Sequence, residues 1–79
     1  MRITLTASTG AKILVWREED MFHAQLAHRS DVQICLGIDL FEVIAELAGL
    51  DLERDGQAQE AVSLAERAQS LLAQQRADT

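Results

Sequence analysis

His23, His28 and Cys35 are the histidines and the one cysteine of this 79-residue chain, and Ser30 and Asp31 beside His28 add the letters of a hydrolytic triad. Zinc sites take four protein ligands, or three and an open position, built from close pairs such as C-x2-C or H-x3-H. No such pair occurs in the sequence. His23 and His28 have opposite parity, so on one extended strand they would face opposite sides. A working triad draws its members from separate elements so that nucleophile, base and orienting acid can align. His28-Arg29-Ser30-Asp31 is instead a continuous polar run that makes a turn. Gly10, Gly37, Gly49 and Gly56 stand singly, which excludes a phosphate-cradling glycine loop. The reading is therefore of a non-enzymatic protein with no catalytic residue, no metal site and no cofactor.

Charge is the more informative chemistry. The formal net charge is -6, and all of the excess lies in one half of the sequence. Acids and bases balance from Met1 to Gly37, whereas from Ile38 to Thr79 nine acids face Arg54, Arg67 and Arg76 alone. Such a chain repels nucleic acid, which is held by neutralising phosphates. Asp39, Glu42 and Glu46 are spaced for one side of a helix, and Asp51, Glu53 and Asp55 follow in a polar connector, with Glu60 beyond. Helical positions three and four apart are separated by about 4.5 and 6 Å along the axis, the scale of a phosphate backbone. These carboxylates are the expected contacts for a basic protein surface. A charged, solvated helix face explains the same residues without a partner. Trp16, the sole tryptophan, either closes the core beneath a helix or anchors an interface, where tryptophan is enriched; it joins the candidate partner-binding residues.

The elements that must position these groups are strands first and helices after. Period-two alternation marks a strand over Ile3 to Ala7, then a turn at Ser8-Thr9-Gly10 and a second strand over Ala11 to Arg17. Neither face of the second strand is cleanly polar, which predicts an inner strand. After the charged turn Arg17-Glu18-Glu19-Asp20, Phe22, Ala24 and Leu26 alternate with Met21, His23, Gln25 and Ala27. A turn at His28 to Asp31 leads to a fourth strand, in which Val32, Ile34 and Leu36 share a face opposite Gln33 and Cys35. Asp39 and Glu42 have the spacing of a capping box, and Gly49 is placed to close the helix they open. Leu40, Val43, Ile44 and Leu47 form its apolar side. After the connector Leu50 to Gly56, a longer helix runs from Gln57 to about Arg76, its stripe made of Ala58, Ala61, Val62, Ala65, Ala68 and Leu72, flanked by Leu64 and Leu71. The prediction is one α+β domain over residues 1–79: an antiparallel meander of three to four strands, a short helix and a longer C-terminal amphipathic helix.

Hydrophobic residues at 48% and charged residues at 25% are ordinary for a folded chain. No export signal and no run of about 20 apolar residues is present, so neither secretion nor a membrane span is expected. A lone cysteine in so small a domain fits a reducing cytoplasm, with Cys35 as a small packing residue. The alanine-rich helix, or the Leu14/Trp16 face, is a candidate surface for a homodimer.

Strands followed by an amphipathic helix resemble HicB-type antitoxins, although proline is absent and with it the aspartate-proline-glycine signature of that group. That resemblance implies a dimeric regulatory module. Small size, net acidity and a motif-free α+β chain also resemble phage anti-CRISPR proteins over the whole sequence. This second resemblance implies an inhibitor that binds a CRISPR effector complex and blocks its access to nucleic acid, acting in the cytoplasm of an infected bacterium.

Overall fold

The computed structural model describes residues 2–77, with side chains to residue 74. Four strands form one antiparallel sheet in the order β1-β2-β3-β4: β1 Ile3–Thr6, β2 Lys12–Glu18, β3 Met21–Leu26 and β4 Val32–Cys35. A single 3-10 turn, Gly37–Asp39, leads into α1, Leu40–Ala48, and then α2, Asp55–Ala77. The α+β meander read from the sequence is the observed fold. Among the described residues no helix is long and apolar enough to cross a membrane.

Both helices cover the same face of the sheet, α1 lying against β2, β3 and β4 and α2 against β1 and β2. The reason is the side-chain parity of β2. Ile13 and Val15 are wholly buried beneath the helices, while Leu14 and Trp16 alternate onto the other face. Leu40 and Ile44 of α1 meet them with no exposed surface. From α2 come Ala61, Leu64, Ala65, Ala68 and Leu72. The predicted stripe of this helix shifts by one flank: Val62 is 40% exposed, and Leu64 takes its place in the core. Alanines at Ala61, Ala65 and Ala68 are buried inside the chain against α1 and the sheet, which lets the helix axes approach closely.

Local chemistry sets the boundaries. β2 and β3 meet in a tight turn of Glu19 and Asp20, with Glu18 opposite Met21. β2 therefore runs one residue beyond its expected end. Gly49 closes α1 with φ 74°, and Leu50 N–H donates to the Ala45 carbonyl at 2.8 Å. This is the six-to-one bond of a Schellman cap. At Gly37 the constraint is different: a Cβ there would stand 3.2 Å from the Phe22 ring, a tight contact that the ring would have to yield to. α2 starts at Asp55, two residues before the expected Gln57, because the Arg54 carbonyl accepts the Ala58 N–H at 2.8 Å.

The fourth strand runs against simple hydrophobic patterning. Phe22 pairs with Cys35 and Ala24 with Gln33, so Gln33 and Cys35 occupy the helix-covered side. Val32, Ile34 and Leu36 point to the open side, 41%, 58% and 50% exposed. Burial predicts that Ile44→Ala costs about 2–5 kcal/mol of stability, whereas Ile34→Thr stays within about 0.5 kcal/mol. Urea unfolding of the two variants measures this, and similar losses in both would contradict the assignment of faces.

Candidate functional site

Asp39, Glu42 and Glu46 are exposed on the outward side of α1. At 100° per residue they fall within about 60° of one another, opposite Leu40, Ile44 and Ala48. The expected capping box does not form. Asp39 makes no side-chain cap bond, because the 3-10 turn supplies backbone acceptors instead: Leu40 N–H donates to Gly37 and Asp39 N–H to Leu36. The carboxylates of Asp39 and Glu42 are thereby left to solvent.

The connector differs. Asp51 forms an ion pair with Arg54 at 3.6 Å and accepts the Glu53 N–H at 2.9 Å, while its own N–H donates to Gln57 Oε1. It is a structural residue of the turn into α2. Glu53 and Asp55 are exposed. Among the described residues Asp39, Glu42, Glu46, Glu53 and Asp55 have no cation within ion-pair distance. Asp78, counted in the acidic half, lies outside the described residues.

Glu60 is also structural. Its carboxylate accepts the Ser8 N–H at 2.7 Å and the Ser8 hydroxyl at 2.6 Å, clamping the first turn pair of α2 to the β1–β2 turn. The Ser8 hydroxyl and then its N–H hold the Glu60 carboxyl below its ordinary value of 4.5. In the same turn Thr9 Oγ1 donates to the Ala48 carbonyl at 2.7 Å, which fixes the end of α1.

Trp16 does not close the core beneath a helix. It is 7% exposed, yet it lies on the face away from the helices, opposite His23 across β2 and β3. The His23 ring stacks on it at 5.4 Å and 17°, and the Arg2 guanidinium stands 4.2 Å from its ring centroid. Its indole N–H donates to Glu18 Oε1 at 3.2 Å. Arg2 and His23 thus provide the cover that a helix would have given.

Cys35 is buried, as a packing residue should be. Burial pushes its thiol up, and the nearby Asp39 carboxylate adds to the effect. A thiol held protonated is a poor nucleophile.

Two features of the β4 side were not singled out in the sequence. Gln33, Asp31 and Arg29 line a groove of about 420 Å³ with Glu46 and Leu47 of α1. On the opposite face Ile34 shares a depression of about 300 Å³ with Met21, His23, Glu18 and Glu19. The alternation Val32, Ile34, Leu36 signals a face, but which face depends on the register across the β3–β4 turn.

No protein-family model, curated protein or solved structure matches this chain.

The Glu60 clamp carries a pH dependence of known sign. A carboxyl whose pKa is lower folded than unfolded stabilises fully above its unfolded value, and that contribution is lost as pH falls through the folded value. Glu60→Gln is expected to unfold at lower urea than the parent at about pH 7, with the gap narrowing by about pH 3. A gap that widens on acidification would contradict the clamp.

Proposed function

We propose that this chain is a non-enzymatic protein-binding module that presents the carboxylates of α1 to a cationic surface on another protein. The observation that carries the reading is the stripe of Asp39, Glu42 and Glu46, exposed and without a cation among the described residues. Glu60 and Asp51, by contrast, are engaged within the chain by hydrogen bonds and an ion pair. An outward row of like charges costs stability through self-repulsion, and a basic partner relieves that cost on binding.

The partner class that fits is a protein surface built to hold nucleic acid, since such a surface is dense in lysine and arginine. An anti-CRISPR role, in which the acidic row occupies the nucleic-acid channel of a CRISPR effector subunit, is the concrete form of this proposal. Glu53 and Asp55, exposed in the connector and at the start of α2, are further candidate contacts, while Asp51 contributes through the turn it holds. Trp16 supports the sheet and is not a first contact. An antitoxin-like dimer is the weaker alternative, because the residues singled out for it are largely engaged within the chain. Ala61, Ala65 and Ala68 are buried under α1, and Trp16 is covered by Arg2.

Fluorescence anisotropy of a labelled DNA target on a purified CRISPR effector complex tests the reading. The chain is expected to displace the DNA, more weakly as salt rises. The double reversal Glu42→Lys with Glu46→Lys is expected to weaken displacement by about tenfold or more with unchanged urea unfolding. Displacement that is absent, or unaffected by the reversal, would overturn it.

A further inference from the structure

The outer edge of the sheet at β4 combines three properties that together specify a ligand. The first is unpaired backbone. Ala27 N–H donates to the Lys12 carbonyl, which sets the phase of the β2–β3 ladder: Leu14/Gln25, Trp16/His23 and Glu18/Met21 are its hydrogen-bonded pairs. Phe22 and Ala24 therefore turn their backbone groups toward β4, where they meet Cys35 and Gln33. By the same alternation Val32 and Ile34 direct their N–H and C=O groups outward, and among the described residues β4 has no strand neighbour on that side.

The second property is apolar side chains on the open face. Val32, Ile34 and Leu36 are exposed there, and Ile38 beyond them is 78% exposed. No charged residue interrupts the sequence between Asp31 and Asp39, although edge strands are ordinarily protected by one. The third is charge on the helix side. The groove beside Gln33 holds Glu46 and Asp31 against Arg29 alone, and Asp39 is exposed at the entry to α1, shortly after β4. Leu47 and Val43 are half-buried on the same flank of α1.

We propose that β4 accepts a fifth, antiparallel strand: an extended segment of a partner protein whose side chains alternate between apolar residues on the open face and lysine or arginine on the helix face. Its apolar residues would pack on Val32 and Ile34. Its long cationic side chains would lay their methylene stems over Leu47 and Val43 and bring their charges to Glu46, Asp31 and Asp39. A second copy of this chain fits the edge poorly. Two-fold pairing of β4 with itself would gather six carboxylates, from Asp31, Asp39 and Glu46 of each copy, against two guanidinium groups. The inference rests on the cationic-partner reading above and deepens it by naming the partner's backbone form.

Capped peptides alternating valine and lysine provide the probe, titrated calorimetrically into the full chain with amide hydrogen exchange followed by NMR. In an antiparallel added strand the valines carry the N–H groups that face β4, and the lysine N–H groups face away. Backbone N-methylation of the valines is expected to weaken binding by about tenfold or more, and N-methylation of the lysines to leave it within about twofold. The unmodified peptide should slow exchange at Val32 and Ile34. Equal binding of both methylated peptides, with those amides unprotected, would overturn the added strand and leave the charge-based reading standing. Absence of binding by all three would overturn both. Protection of Val32 and Ile34 without peptide, together with a dimer mass in light scattering, would assign the edge to a second copy and overturn the proposal.

Discussion

One-sided burial of the sheet governs the rest of the molecule. A strand shows alternate side chains to opposite faces, so committing Ile13 and Val15 to the helices commits Leu14 and Trp16 to the other side. The antiparallel registers then pass that choice along the sheet without further freedom. Val15 lies opposite Ala24, and Ala24 opposite Gln33. Trp16 lies opposite His23, and His23 opposite Ile34. A polar Gln33 thus enters the helix-covered row, and an isoleucine is sent to solvent, because the turn between β3 and β4 has the length it has. Moving β4 by a single residue would bury Ile34 and expose Cys35.

Helix placement depends on small residues and a few polar ties. Ala61, Ala65 and Ala68 are buried along α2, so shape rather than bulk fixes its distance from α1 and the sheet. Each alanine removes little apolar surface from water. The orientation is secured by bonds between elements: Glu60 to Ser8, Thr9 to the carbonyl of Ala48, and Gln69 to the carbonyl of Gly37 at 2.9 Å. The last bond crosses from α2 to the turn after β4. It ties α2 to the turn from which α1, with Asp39 and Glu42, begins.

Strand and helix order was legible because each segment has a clean period and its ends carry turn or cap chemistry. Gly49 is the clearest case, since its position after Ala48 predicts the left-handed closure that is found. The capping box at Asp39 and Glu42 had the right letters but not the right backbone: a 3-10 turn had already satisfied the first donors of α1. Glu60 and Asp51 were indistinguishable from the other acids in sequence, since their partners Ser8 and Arg54 are defined by the fold and by a turn. Trp16 was placed on the correct strand. Its cover was not legible, because an arginine at position 2 and a histidine on the next strand form a lid only after pairing. The exposed face of β4 escaped for the same reason: an apolar triplet reads as core until the register is known.

Charge and edge are linked by where the acids sit around β4. Most edge strands carry their protective charge within the strand, which blocks any added partner regardless of sign. Here Asp31 and Asp39 bracket an uncharged segment, and Glu46 approaches from the helix side. The barrier is therefore electrostatic in origin rather than steric or conformational. A barrier of that kind depends on the sign of what approaches. Against a copy of the same strand it would repel, although Val32, Ile34 and Leu36 are exposed. Against the proposed cationic strand the same carboxylates would attract, the apolar face would be covered and the outward backbone groups would gain partners, so one arrangement of charges would disfavour pairing with a copy and favour a partner of opposite sign.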